Sequence, residues 1–347
     1  MTRRENADPA GAVAPGADRL DPLARPLVDA LAAAFPDLGG AVTDAVEARR
    51  TLAAAPASGK ARPAVGPVAD RMVPGAPGAP GIPVRIYLPD RERHPGPRPT
   101  VVFLHGGGYT LCGLDSHDAT ARGLTAGAGA AVVSVGYRLA PEHRFPAAVD
   151  DAYAALCWAA SESAVLGGDP GAIVTAGDSS GGGLATAVTL RARDECGPAV
   201  ALQVLLYPVL DAAQDTASYR ENARGYFLTA AHMRWFWQQY LGPGGDGTHP
   251  LASPLRAAGL TGLPPAHLVV AGCDPLRDEG LDYADRLRAA GVAVTLVHCP
   301  RMFHGFLGFP ELLPNAAGVL AGVAEAIDSV SVSAHRKNSG GTGGGTG

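Results

Sequence analysis

A serine stands between two glycines in Gly177-Asp178-Ser179-Ser180-Gly181, directly after the apolar run Ala172-Ile173-Val174-Thr175-Ala176 and directly before an alanine-rich helical stretch. A strand that turns into a helix over so few residues is too tight for Cβ atoms at its flanks. It therefore asks for glycine there, and it lifts the central hydroxyl clear of the sheet. Ser179 is the candidate nucleophile on this reading. In a chain with 46 glycines the same five residues also read as an ordinary loop turn, so the motif needs partners.

Partners follow in an informative order. Upstream, Thr100-Val101-Val102-Phe103-Leu104 reads as a strand that runs into His105-Gly106-Gly107-Gly108-Tyr109, where glycines let backbone N–H groups converge on a developing oxyanion. Downstream, His267 to Gly272 reads as a strand ending at Cys273-Asp274-Pro275, which sets a carboxylate at a strand's carboxyl end. A last strand, Val292 to Val297, leads to a loop carrying Met302-Phe303-His304-Gly305-Phe306. The order Ser179, Asp274, His304 is that of an α/β hydrolase and differs from the order in other serine-hydrolase folds. Asp278 and Glu279 compete with Asp274 for the acid's role, but they fall in what reads as a first helical turn, where acids favour the helix dipole.

Longer stretches carry a more specific likeness. His105 to Tyr109, the run from Tyr137 to Ala147, the elbow Gly177 to Gly182, Asp274 to Glu279 and His304-Gly305-Phe306 together span most of residues 80 to 310. In these stretches the chain resembles the hormone-sensitive-lipase-like esterases, bacterial carboxylesterases with an HGGG box ahead of a GDSAGG box. Two departures stand out: Ser180 replaces the usual alanine, and Gly183 replaces a frequent asparagine. The first keeps the N–H an oxyanion hole needs, and the second removes a polar side chain able to brace the HGGG loop. The resemblance implies a helical cap built from the amino-terminal helices and a later insertion, and a homodimer through the last core strand.

Strand patterns at Val84 to Leu88, Val101 to Leu104, Ala131 to Val135, Ile173 to Ala176, Leu202 to Leu206, Leu268 to Ala271 and Val292 to Val297 alternate with helical ones. Such alternation predicts an α/β fold with a mostly parallel central sheet flanked by helices, and ligands bind at the sheet's carboxyl edge. Leu23, Leu27, Val28, Leu31 and Phe35 recur at helical spacing, as does Thr43 to Leu52. The expected organisation is a flexible start over 1–20, cap helices over 21–55, a catalytic domain over 56–333 with a cap insertion at about 211–250, and a disordered glycine-rich tail over 334–347. The insertion carries Tyr226-Phe227 and Trp235-Phe236-Trp237; these aromatics read equally well as glue between cap and core or as substrate contacts.

In the chemistry these residues suit, His304 takes the proton of Ser179, Asp274 orients the imidazole, and N–H groups of Gly107, Gly108 and Ser180 hold the oxyanion. His105 and Gly106 support that loop, and Tyr109, Tyr207, Tyr226, Phe227, Trp235 and Phe306 are candidate substrate contacts. No metal or organic cofactor is called for. A net charge of −5 without a basic cluster gives no footprint for nucleic acid or an anionic membrane. Five scattered cysteines argue against a disulfide framework and for a reducing, cytoplasmic setting. The expected activity is hydrolysis of small to medium acyl esters. A lyase, such as the plant carboxylesterase-like dehydratases, or an acyltransferase would use the same residues, and a binding protein on this scaffold would be expected to lack one of the three.

Overall fold

The computed structural model describes residues 19–54 and 62–339, with backbone alone for 54 and 331–339. Eight strands form one sheet: β1 (Val68–Val73), β2 (Ile82–Tyr87), β3 (Arg98–Leu104), β4 (Ala131–Val135), β5 (Gly168–Asp178), β6 (Leu202–Leu206), β7 (Ala266–Cys273) and β8 (Val294–Phe303). Their spatial order is β1-β2-β4-β3-β5-β6-β7-β8, with β4 through β8 parallel and β2 antiparallel to both β1 and β4. The central strands β4, β6 and β7 are buried throughout and mostly apolar because helices cover both faces, so no residue is left facing water. The α/β fold and mostly parallel sheet read from the sequence are present.

Helices α3 (Asp118–Ala128) and α9 (Pro314–Ser339) cover one face; α4 (Ala147–Glu162), α5 (Ser180–Asp194) and α8 (Arg277–Ala289) cover the other. Helix α5 is buried continuously from Ser180 to Leu190. Its glycines allow a close approach: a Cβ at Gly181 would collide with the carbonyl oxygens of Leu104 and His105 at the end of β3. This contact sets the elbow against the HGGG loop.

Four elements lie apart from these layers: α1 (Ala24–Ala34), α2 (Ala45–Ala54), α6 (Ala217–Glu221) and α7 (Ala230–Leu241). Arg49 of α2 ties its helix to the core, donating to the carbonyls of Thr110 and Ala140 and forking onto both Glu142 oxygens at 2.7 and 2.8 Å. The Arg49 guanidinium, set against a smaller opposing effect of burial, holds the Glu142 carboxyl down at about 2. Trp235 of α7 donates its indole N–H to Thr43 just ahead of α2. The amino-terminal segment that carries α2 and the much later α7 are thus joined.

The sequence differs from the structure at several edges. Strand β1 was not expected; its residues are mostly exposed, so it lacks the apolar alternation that marks a half-buried strand. An ion pair between Asp70 and its cross-strand partner Arg85, at 2.6 Å, supports it instead. Leu23 is exposed and precedes α1 instead of joining its buried stripe. Arg19 and Leu20, inside the stretch expected to be flexible, are packed, with Leu20 in the core; the rest of that stretch lies outside the described residues. The backbone of α9 continues to Ser339; the remainder of the expected tail lies outside the described residues.

On β7, His267 is buried with its Nε2 unpartnered, and burial pushes its imidazole down to about 4. The folded state therefore binds its proton later than the unfolded chain does. Its contribution to stability is full above about pH 6.5 and declines as pH falls toward 4, with a slope of about 1.4 kcal/mol per pH unit. Urea unfolding between pH 4.5 and 7.5 should show His267→Leu with a shallower loss on acidification than the wild type; equal slopes would refute this.

Candidate active site

The parallel strands β3, β5, β7 and β8 all end at the same edge of the sheet, and a candidate residue follows each end: His105, Ser179, Asp274 and His304. Ser179 has φ 55° and ψ −122°, a region that L-residues with side chains rarely occupy. Its backbone is fixed on several sides: its N–H donates to Leu206, and its carbonyl accepts from Gly183 and Val209. The strain aims the hydroxyl outward.

From that hydroxyl a hydrogen-bonded chain runs inward. Ser179 Oγ lies 2.8 Å from His304 Nε2, and His304 Nδ1 lies 2.7 Å from Asp274 Oδ2. With Nδ1 protonated toward the carboxylate, Nε2 is free to accept from the serine. Asp274 is fully buried, and its other oxygen accepts from the Leu276 N–H at 2.9 Å. The two competing acids are engaged elsewhere. Glu279 accepts from the N–H groups of Leu210 and Asp211, and Asp278 accepts from Ser218 N–H and pairs with Arg277. Burial raises Glu279 well above the usual carboxylate range.

Opposite the imidazole, Gly107 and Gly108 take φ of 116° and 59°, conformations suited to glycine, and both line the cleft beside Ser179. A methyl group at Gly108 would strike the Phe236 ring. Ser180 is the first residue of α5, so its N–H is one of the helix's unpaired donors. Gly106 N–H donates to Asp178 Oδ1 at 2.9 Å, and His117 Nε2 lies 3.3 Å from the same oxygen. Burial acts to raise the Asp178 carboxyl, but His117 and the Gly106 N–H outweigh it, and the net shift is downward. His105 stacks on Tyr137 at 4.3 Å, and its Nδ1 meets the Gly106 carbonyl at 2.7 Å. Burial, and then His117, hold its imidazole down at about 4, so it is neutral at pH 7 and suits a brace.

These groups open onto a cleft of about 800 Å³. Of the six side chains expected to touch substrate, Tyr207 and Phe227 line it; Tyr109, Tyr226, Trp235 and Phe306 do not. Tyr109 stacks on Tyr240 at 3.8 Å under the glycine loop, and its hydroxyl stands where a side chain at position 183 would go. Tyr226 lies under the guanidiniums of Arg19 and Arg25. Phe306 is fully buried. On α7 it is His232 and Phe236, four residues apart and so on one face, that reach the cleft, while Trp235 points toward Thr43. Leu31 of α1, Phe35 just after that helix and Leu52 of α2 line it too. The sequence had marked Leu31 and Phe35 as an apolar stripe without indicating what that stripe faces.

The sequence matches a family described as having the alpha/beta hydrolase fold over residues 101–308. It is 45% identical over 247 residues to carboxylesterase NlhH of Mycobacterium tuberculosis, covering 70% of this chain and 76% of that protein. The chain is a hormone-sensitive-lipase-like α/β hydrolase. A second relative of this hydrolase, the carboxylic ester hydrolase LipN of M. tuberculosis, is 45% identical over 269 residues, or 76% of this chain and 69% of that one. Among solved structures, ester-hydrolase EH1AB1 from the metagenome of Lake Arreo superposes with a TM-score of 0.83 at 37% identity, covering 89% of this chain and 98% of the other.

Asn222, which the sequence did not single out, is fully buried in this hydrolase. Its amide donates to the carbonyls of Asp274 at 2.8 Å and Gly272 at 3.3 Å, and its oxygen accepts from Arg19. It clamps the Asp274 loop from the C-terminal end of α6. Asn222→Ala should lower kcat about tenfold with KM little changed, since an unpaired buried carbonyl costs about 1–3 kcal/mol and frees the loop. Steady-state kinetics on any turned-over ester tests this, and an unaltered kcat would refute it.

Proposed function

We propose that this α/β hydrolase cleaves carboxylic esters with small to medium acyl groups through an acyl-enzyme on Ser179. The observation that carries the reading is the Ser179–His304–Asp274 chain, with bonds of 2.8 and 2.7 Å, opening onto a cleft edged by Gly107 and Gly108. His304 Nε2 takes the Ser179 proton as Oγ attacks the ester carbonyl, and Asp274 stabilises the imidazolium. The tetrahedral oxyanion accepts from the N–H groups of Gly107, Gly108 and Ser180. Collapse expels the alkoxide, which leaves as the alcohol with the proton from His304. Water, deprotonated by the same nitrogen, then releases the acid and restores the serine.

The relatives' names, carboxylesterase and carboxylic ester hydrolase, support hydrolysis over elimination or acyl transfer. Helices α1, α2, α6 and α7 form the cap in this reading, a role supported by the cleft-lining Leu31, Phe35, Leu52, His232 and Phe236. Apolar and aromatic walls on that side favour an uncharged substrate. No helix among the described residues is long and apolar enough to cross a membrane. We place the enzyme in the cytoplasm, in keeping with its five cysteines scattered without paired spacing. The homodimer implied by the resemblance would use β8, the last strand in the sheet order, and a monomeric mass in light scattering would refute it.

The deciding experiment measures p-nitrophenyl acetate, butyrate and octanoate hydrolysis, with intact mass after an organophosphate. Wild type should turn over at least the shorter esters and gain one adduct on Ser179. Ser179→Ala should lose both, with kcat down by about 10⁴-fold or more. An adduct without turnover would favour acyl transfer, and neither would refute the reading.

A further inference from the structure

We propose that the cleft has a side arm that takes the far end of an unbranched alkyl chain of the ester, held open by Gly123. The proposal rests on the ester-hydrolase reading above and adds a substrate class to it. A second cavity of about 100 Å³ lies between α3 and the stretch from Leu307 into α9. Thr120, Leu307, Gly308 and Leu320 line both this cavity and the main cleft, so the two share a border. Leu307 and Gly308 follow His304 closely in the chain, and the arm therefore leaves the cleft on the imidazole side.

The remaining walls decide what fits. Pro63, Ala119, Leu124 and Pro310 add apolar surface, and the one charged neighbour, Glu311, is exposed. A carboxylate ending there would face the Glu311 carboxylate, and Thr120 offers the one side-chain hydroxyl in the lining, so a polar end gains little over water while an alkyl end gains by burial. The volume is about that of three or four water molecules and so holds a similar number of methylenes, too few atoms for an aromatic ring with its substituents. An unbranched alkyl terminus meets both limits.

Two glycines of α3 separate packing from access. A Cβ at Gly127 would lie 3.0 Å from the Ala324 Cβ on α9, so close helix packing accounts for glycine there. At Gly123 a built Cβ meets nothing within 4 Å among the described residues, and the residue is helical without a positive φ. Neither backbone nor neighbours require glycine at that position, where it costs the helix about 1 kcal/mol relative to alanine. The missing side chain leaves the arm its room.

The test compares full-length wild type, Gly123→Ala and Gly123→Leu on two series: p-nitrophenyl acetate through octanoate, and ethyl through hexyl acetate. Burying a methylene contributes about 0.8 kcal/mol, close to fourfold each, so displacing two should change selectivity by about tenfold. The ratio of kcat/KM for hexanoate to acetate should fall about tenfold in Gly123→Leu and less in Gly123→Ala if the acyl chain enters the arm. The corresponding fall for hexyl over ethyl acetate would assign the arm to the alkoxy chain. Unchanged ratios in both variants across both series would overturn the proposal. Failure of the hydrolase reading is distinguishable, because wild type would then turn over no ester. Gly123→Ala, which relieves a helical glycine, keeps the test decisive should the leucine variant fold poorly.

Discussion

The backbone of Ser179 is the constraint on which the rest depends. A non-glycine residue at φ 55° and ψ −122° costs about 1–3 kcal/mol and persists only where its surroundings over-determine it. Here β5 fixes one side and the buried start of α5 the other, while the segment from Leu206 to Val209 accepts from and donates to the serine's own peptide groups. The same tightness explains the flanking glycines. A Cβ at Gly177 would meet the Gly181 carbonyl, and one at Gly181 would meet the end of β3. Aiming one hydroxyl outward therefore also brings the helix's first N–H toward the glycine loop, so the groups proposed as nucleophile and oxyanion donor follow from a single turn.

A sheet edge can align strand ends, but it does not by itself hold loops that lie 125 and 30 residues apart in the chain to hydrogen-bonding distance. The segments outside the sheet supply that restraint. Asn222 and Ser218, from the stretch around α6, bond to the carbonyls of Gly272, Asp274 and Pro275, so the acid's loop is clamped from above. The N–H of Asp21 donates to the Arg301 carbonyl, and Arg301 donates back to Leu20, three residues before His304. Segments around α6 and just ahead of α1 thus hold the loops of Asp274 and His304 in place behind the serine.

The apolar strands were legible because both faces are covered. Ala131 to Val135 and Leu202 to Leu206 fall on β4 and β6 with the same bounds. Strand β1 was illegible for the opposite reason: an exposed edge held by backbone bonds and an Asp70–Arg85 pair carries no apolar signal. At the site, motif order located Ser179, Asp274 and His304 because each must follow a strand end. Aromatic composition could not tell which ring in Trp235-Phe236-Trp237 faces the cleft. Helical period gives the faces, but only the docking of α7 against Thr43 and Gly108 says which face points where.

The glycine at 183 shows how a departure from a family pattern is absorbed by its surroundings. A frequent asparagine there would brace the glycine loop; in this chain the space beyond Gly183 is taken by the Tyr109 hydroxyl and the Val209 carbonyl, which leave no room for a side chain. The brace then has to come from elsewhere in the loop's contacts. Asp178 holds the Gly106 N–H at 2.9 Å, and the Tyr137 hydroxyl donates to the His105 carbonyl at 2.6 Å. Tyr109, itself at φ 61°, stacks on Tyr240 of α7 and accepts the Ala140 N–H. A tyrosine that the sequence suggested as a substrate contact instead packs against Tyr240 under the glycine loop, and it fits only because residue 183 has no side chain.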